Sequence, residues 1–185
     1  MASAFSHAFI ALAIGKVPRH SSFTWRTVFL GMVCSVVPDL DVMGFYFGIH
    51  YGDLWGHRGL THSLTFAALL STLFVGLFYR QHSVRSKTAI FFYLFVCTAS
   101  HGLLDAMTDG GLGVAFFSPF DTTRYFFGVR PIAVSPIGIG GFFHEGALRV
   151  LASEARWIWL PTVAAFVVLR ALQGISSIPD RRSNR

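Results

Sequence analysis

Charged residues are scarce in this chain of 185 residues. Only 13% of the sequence is Asp, Glu, Lys or Arg, whereas 53% is hydrophobic. Soluble domains carry charge on about a quarter of their residues, so this composition excludes an ordinary soluble domain. The mean hydropathy of +0.55 points the same way. The sequence therefore predicts a membrane protein.

Cysteine is scarcer still, and no internal repeat or flexible linker divides the chain. The two cysteines, Cys34 and Cys97, fall in apolar runs without a CxxC motif, which argues against a disulfide framework and favours small core residues. The N-terminus lacks the basic lead of a signal peptide, so we expect its apolar run to form a helix of the mature protein. We predict one membrane-embedded, hydrolase-like domain at 1–175 and a basic cytoplasmic tail at 176–185.

Long apolar runs predict the fold. They indicate five helices, at about 2–17, 25–37, 61–79, 88–107 and 157–172. A span needs about 20 residues, so the third and fourth are long enough, and the other three are short. Pro18 and Pro38 are expected to end the first two helices. The Gly- and Phe-rich segment at 109–153 is expected along the membrane surface. The prediction is an all-α polytopic membrane bundle of about five helices, with a metal site at its outer-leaflet end.

The basic residues predict the orientation. If five helices alternate, one side collects ten basic residues and one acidic residue, a net charge of +9, and the other collects five basic and eight acidic residues, a net charge of −3. Cytoplasmic loops carry the excess of Lys and Arg. We therefore expect a multi-pass protein of the bacterial inner (plasma) membrane with a periplasmic N-terminus and a cytoplasmic C-terminus. Nucleic acid is not expected as a partner, because no basic patch interleaves with exposed aromatic residues.

The same alternation gathers the unusual polar residues on the outer side. They come from four segments, including the motifs "VVPDLD", "GHRGLTHS" and "SHGLLD", and comprise His7, Asp39, Asp41, His57, His62, His101 and Asp105. His101 and Asp105 are spaced i, i+4, which places both on one helix face, as two ligands of one metal require. A buried hydrogen bond that pins two helices would explain this pair equally well.

Ionisable groups at membrane depth are costly, and a divalent cation would neutralise the carboxylates and take imidazole nitrogens. This nitrogen and oxygen set favours Zn²⁺ and would also accept manganese or iron. Seven candidates are too many for one tetrahedral ion. They suit either two ions that share a carboxylate, or one ion whose histidines are oriented by outer carboxylates.

These motifs carry a resemblance. With the N-terminal "SHAFIALAIG" and the downstream "SHGLLDAMTDGG", the chain resembles the LexA-regulated, membrane-bound metal-dependent hydrolases, the YdjM-type inner-membrane proteins. The resemblance covers residue 6 to about residue 130, and the pattern is similar to that of zinc-dependent phospholipase C. No second HxxxE or HxxxD pair follows Asp105, which is a departure from the phospholipase.

The resemblance implies hydrolysis of a phosphoester, such as a membrane phospholipid or a lipid-linked phosphate. Asp41 or Asp39 would orient the attacking water, and Arg58, Arg124 or Arg130 would hold the phosphate, since Arg favours bidentate contacts. Free N–H groups at the start of the third helix, near Thr61 and Ser63, would suit an anion. A metal-ion transporter and a membrane scaffold with a structural metal stay open as alternatives. The purely apolar inner halves of the third and fourth helices argue against a transport pathway.

Overall fold

Five helical segments make up the described part of the protein. The computed structural model describes residues 1–18, 21–137 and 146–175, so the predicted tail at 176–185 lies outside it. We number the helices α1 (Ala4–Lys16), α2 (Trp25–Phe47), α3 (Leu64–Phe78), α4 (Val84–Ala106) and α5, which begins at Ala147 and ends at Ile175. No strand occurs in the described ranges, where Thr108–Ile132 and Val114–Tyr125 form isolated bridges. The all-helical prediction is confirmed.

Within the described ranges, three helices are long and apolar enough to cross a membrane, namely α2, α4 and α5. The α-helical part of α2 ends at Val36, just before Pro38, close to the prediction, but the chain continues as a helix of another type. The helix changes there from α-helical (Trp25–Val36) to 3₁₀-helical (Val37–Phe47), and Pro38 lies in the first turn of the new segment. A proline needs no N–H partner at that position, so the chain continues to Gly48, whose positive φ of 77° ends it.

The fifth helix is also longer than predicted. It begins at Ala147, inside the segment that we expected to lack helix, and combines α-helical Ala147–Glu154, π-helical Ala155–Trp159 and α-helical Leu160–Ile175. Its first turns carry Arg149, Glu154 and Arg156, which concealed the helix in a search for apolar runs. Residues 107–137 contain no helix, whereas their expected position along the membrane surface stays a prediction.

The bundle is built around α1, α2 and α4, and α3 packs on α4 and α5 on α1. Tyr93 of α4 lies at the centre, where its hydroxyl donates to the carbonyls of Ala11 (3.0 Å) and Val28 (3.2 Å). Gly15 and Gly31 make room for its ring, because a side chain at either position would collide with it. Cys34 and Cys97 are free and buried in this core, as predicted. Small residues thus let three helices approach closely.

The two ends of the bundle differ in their side chains. One end, which we name the cluster end, holds the start of α1, the ends of α2 and α4, and the connections that surround them. The other, the basic end, holds the end of α1, the start of α2, the end of α3 and the start of α4. The helix order α1 to α4 thereby collects the predicted metal ligands at one end.

Candidate metal centre

Four of the seven predicted ligands form a compact group at the cluster end. One ligand atom from each of Asp39, His62, His101 and Asp105 lies within 4.8 Å of the other three. His101 Nε2 is 3.1 Å from His62 Nε2 and 3.2 Å from Asp39 Oδ1, and Asp105 Oδ2 is 3.7 Å from His62 Nε2. Zn–N bonds of about 2.0–2.1 Å in a tetrahedron put neighbouring ligand atoms about 3.3 Å apart. The observed spacing therefore fits a single ion of that size.

The orientation of the two imidazole rings is fixed from behind. His101 Nδ1 is 2.7 Å from the Ser35 carbonyl oxygen, and His62 Nδ1 is 3.2 Å from Asp41 Oδ2. Both partners only accept hydrogen bonds, so in each neutral ring Nδ1 carries the hydrogen and Nε2 carries the lone pair. Nε2 of His62 and Nε2 of His101 face each other across 3.1 Å. At this distance the two nitrogens need a proton or a metal cation between them, because two bare lone pairs would repel each other.

Two further groups at this centre lack hydrogen-bond partners among the described residues. Both nitrogens of His7 and both carboxylate oxygens of Asp39 are buried in this way. The His7 ring stacks on His101 with a centroid distance of 3.7 Å, and His7 Nε2 lies 3.7 Å from Asp105 Oδ1. A buried polar atom without a partner costs about 1–3 kcal/mol. A metal ion would satisfy the Asp39 carboxylate and could take one of the two His7 nitrogens, so the residues present fit a divalent cation.

Asp41 lies behind the centre and holds two histidines in place. Its Oδ1 accepts a hydrogen bond from His57 Nδ1 (2.7 Å), and its Oδ2 accepts one from the Thr61 hydroxyl (2.6 Å). Asp41, His57 and His62 form a second group with possible metal ligands, which shares His62 with the first. The ligand role of Asp41 and His57 stays a prediction. The geometry fits an orienting carboxylate, because both Asp41 oxygens already accept hydrogen bonds.

Burial and neighbouring charge act differently on the two loop histidines. Burial lowers the pKa of His57, and the hydrogen bond with Asp41 only partly opposes this. Burial also disfavours the charged form of His62, but the carboxylates of Asp105 and Asp41 outweigh it and raise the pKa of His62 to about 9. In the absence of a metal, a proton on His62 supplies positive charge among the carboxylates. A metal that binds there must displace that proton.

Arg58 is the largest fully buried side chain of the protein. Its Nε donates to Asp105 Oδ2 (3.1 Å), Nη1 to the carbonyls of Gly110 (3.0 Å) and Leu112 (2.8 Å), and Nη2 to the Thr108 hydroxyl (2.9 Å). Four of the five guanidinium N–H groups are thus used inside the protein. The expectation that Arg58 holds a phosphate loses its support, because these donors cross-link α4 to the following loop. Arg58 also adopts a φ of 64°, which is costly for a residue other than glycine.

The other two predicted phosphate contacts, Arg124 and Arg130, differ in what their guanidinium groups contact. Arg124 Nη1 donates to the carbonyls of His57 (3.0 Å) and Gly113 (3.3 Å), and its Nη2 donates to those of Tyr51 (3.0 Å) and Asp53 (3.2 Å). Its donors therefore bind the loops together, as those of Arg58 do. Arg130 is exposed and lies over the Phe126 ring, 4.6 Å from its centroid. Of the three arginines, only Arg130 keeps its charged head away from protein carbonyls in the described residues.

Several of the groups that we expected to bind an anion at the start of α3 already have partners. The Leu64 N–H donates to the Phe116 carbonyl (2.9 Å), and the Phe66 N–H donates to the Ser63 hydroxyl (3.0 Å). Ser63 is the N-cap of this helix, and the Thr61 hydroxyl is bonded to Asp41. An anion would find these groups already engaged.

Glu154 was missed in the sequence. It is fully buried and accepts hydrogen bonds from the Ser3 N–H (2.5 Å) and from the hydroxyls of Ser3 (2.6 Å) and Ser6 (2.8 Å). The Trp159 indole N–H, at the end of the π-helical turn, donates to the same Ser6 hydroxyl (2.8 Å). These contacts fix the start of α1, where His7 follows Ser6. The one signal available in the sequence was an acidic residue in a mostly apolar stretch, and nothing in the sequence indicated which groups would donate hydrogen bonds to it.

The comparisons with known proteins agree with this architecture. The family model described as YdjM inner membrane protein matches residues 1–176. The chain belongs to that family. Inner membrane protein YbcI of Escherichia coli (strain K12) is 35% identical over 163 residues, which cover 87% of this chain and 92% of that protein. No solved structure matches the chain. Both names state a location in the inner membrane, and neither states an activity, so the similarity to phospholipase C stays a prediction.

Proposed function

We propose that this inner-membrane protein is a divalent-metal-dependent hydrolase of phosphoesters, with a phospholipid or a lipid-linked phosphate as substrate. The proposal rests on two imidazole nitrogens that face each other at 3.1 Å, His62 Nε2 and His101 Nε2. They lie between the carboxylates of Asp39 and Asp105. Zn²⁺ suits this mixed set of nitrogen and oxygen ligands. His7, whose Nε2 lies 3.7 Å from Asp105 Oδ1, is a further possible ligand from α1.

Net charge supports a cation at this position. Three carboxylates, those of Asp39, Asp41 and Asp105, surround the centre, and Arg58 is paired with one of them. The Met1 amino group also lies near Asp105, but burial lowers its pKa and so weakens it as a counter-charge. With Arg58 charged and a proton on His62, one of the three negative charges stays unpaired, and two are left once a metal displaces that proton. Unpaired negative charge is costly at membrane depth, and a divalent cation would neutralise both.

The chemistry needs a proton acceptor beside the metal. A bound divalent ion lowers the pKa of a coordinated water from 15.7 toward about 7 and polarises a phosphoryl oxygen. His57 is suited to the proton transfer, because its Nδ1–H is held by Asp41 at 2.7 Å while its buried Nε2 has no partner among the described residues. An Asp–His pair of this kind keeps the ring in one tautomer and stabilises its charged form. We assign His57 as general base and, in the reverse sense, as donor to the leaving group.

A scaffold with a structural metal is the second candidate. It is favoured by one observation, namely that the four side chains of the inner group are buried and are sufficient to fill a tetrahedral coordination shell. Structural zinc sites are closed in this way, whereas catalytic sites keep an open position. A hydrolase would therefore use no more than three of the four at one time.

The test compares metal content with turnover in the purified protein. His101→Ala should reduce bound metal and phosphoester hydrolysis together, whereas His57→Gln should keep the metal and lower turnover by roughly 10²–10⁴-fold, because it removes only proton transfer. His50→Ala, an exposed histidine outside both groups of possible ligands, is the matched control. Metal content is measured by elemental analysis, and release of phosphate or head group is measured on a panel of lipids. Metal-loaded protein without hydrolysis of any of them would favour the scaffold.

A further inference from the structure

A polar cavity opens at the basic end, far from the metal centre. It has a volume of about 450 Å³ and lies between the start of α2, the end of α3 and the start of α4. Hydroxyl groups of Ser21, Thr24 and Ser86 line it, and Arg26 and His82 add positive or protonatable groups. The metal centre and the proposed hydrolysis use none of these side chains.

The surroundings of this cavity carry charge of one sign. Residues 1–38 and 54–104, which supply its walls, contain no Asp or Glu. Lys16, Arg80, Arg85 and Lys87 lie in the helix ends and turns around it. Among the described residues no carboxylate pairs with Arg26, whose guanidinium lies 5.8 Å from the centroid of the Phe78 ring. The cavity therefore offers a cation and hydroxyl donors without an internal counter-ion.

The buried polar groups at the base of this cavity already have hydrogen-bond partners, so the cavity is not a packing defect. The Tyr79 hydroxyl donates to the Thr27 hydroxyl (3.0 Å), which donates to the Ser22 carbonyl (2.8 Å). Both Thr27 and Tyr79 are buried. An aromatic side chain lies at the rim of the cavity, since Trp25 is 60% exposed. Lys16 Nζ lies over its ring, 4.9 Å from the centroid. Trp and Lys side chains of this kind lie at the level of lipid head groups.

We infer that this cavity binds the head group of an anionic phospholipid, with the phosphodiester on Arg26 and head-group hydroxyls on Thr24 and Ser86. Arginine forms charge-assisted hydrogen bonds with phosphate oxygens, and basic cavities between membrane helices take anionic head groups. A zwitterionic head group is disfavoured, because its ammonium would meet no acid. The ligand class is thus a glycerol-bearing lipid such as phosphatidylglycerol. The inference stands independently of the metal centre.

The test measures lipid retention on the full-length protein by native mass spectrometry. Detergent-solubilised protein is offered phosphatidylglycerol, phosphatidylethanolamine or phosphatidylcholine, and inorganic phosphate is added as a competitor. Wild type should retain phosphatidylglycerol roughly tenfold better than the other two, and Arg26→Gln should remove that preference. Arg85→Gln is the matched control, since it removes the same charge from the same end but does not line the cavity.

Ser86→Asp provides a second variant that keeps the fold. Ser86 is in the first turn of α4, where an acidic side chain favours the helix, yet it would place a negative charge in the cavity. It should lower phosphatidylglycerol retention at least as much as Arg26→Gln. Three results would overturn the inference: an equal loss in Arg85→Gln, which indicates diffuse attraction, no preference for phosphatidylglycerol in wild type, or displacement of the lipid by free phosphate at matched concentration.

Discussion

The two ends of this bundle use the same residue types in opposite ways. At the cluster end, Arg58 and His101 are fully buried, whereas at the basic end Arg26 and His82 are exposed. The distribution of acidic residues explains the difference. The cluster end supplies carboxylates that pair with a buried cation such as Arg58, and the walls of the basic end supply none. Burial of a charge in a membrane protein thus follows from its partners and not from its residue type.

The largest expected effect concerns which end faces the cytoplasm. The charge difference of +9 against −3 predicts that reporter fusions after Gln81 fold and fluoresce in the cytoplasm, whereas fusions near Asp53 and Gly113 reach the periplasm. Paired fluorescent-protein and alkaline-phosphatase fusions at these positions give an all-or-none readout. A periplasmic Gln81 would invert the proposed placement of the metal centre and would leave the basic end on the outer side.

A large effect on stability should separate Arg58 from Arg26. Arg58→Ala breaks the buried ion pair with Asp105 and leaves the carbonyls of Gly110 and Leu112 without that donor, which costs about 3–5 kcal/mol of the free energy of unfolding. Arg26→Ala, at an exposed position, should stay within about 0.5 kcal/mol. Thermal denaturation of the purified variants in detergent measures both.

Arg58→Lys allows the same stability measurement if the alanine variant does not accumulate in the cell. Lysine keeps the charge but lacks the planar fork, so it cannot reach Asp105, Thr108 and the Gly110 carbonyl together. It should recover only part of the lost stability. Equal stability of Arg58→Ala and wild type would mean that the contrast between the two ends has no energetic basis.

These contrasts also mark what the sequence could and could not predict. The apolar runs predicted the bounds of α3 and α4 to within a few residues. The alternation of the helices predicted that His62, His101 and Asp105 lie together. Both patterns depend only on spacing along the chain. The continuation of α2 past Pro38 was not predictable from spacing, since it depends on a change to 3₁₀ geometry. The hydrogen bonds of Arg58 and Glu154 were not predictable either, because most of them join backbone groups and hydroxyls of distant segments, and residue type and spacing do not indicate such partners.

The smallest expected effects separate Arg124 from Arg130, which the sequence had placed together as phosphate contacts. Arg124 donates to four carbonyls of the surrounding loops, so Arg124→Ala should lower stability by about 1 kcal/mol and Lys should replace it poorly. Its effect on hydrolysis should follow the loss of folded protein and leave the metal content per folded molecule unchanged.

Arg130 should behave in the reverse manner. Its exposed guanidinium contacts only the Phe126 ring among the described residues, so Arg130→Ala should leave the melting temperature nearly unchanged. If it holds the phosphate, Arg130→Ala lowers hydrolysis while metal content is retained, and Lys restores part of the rate because it supplies charge without the fork. If Arg130 only anchors its loop at the head groups, Lys replaces it fully and turnover per bound metal does not change. Measuring metal content, melting temperature and hydrolysis on Arg130→Ala, Arg130→Lys and the two matching Arg124 variants distinguishes these cases, because a phosphate contact alters turnover and a loop anchor alters stability.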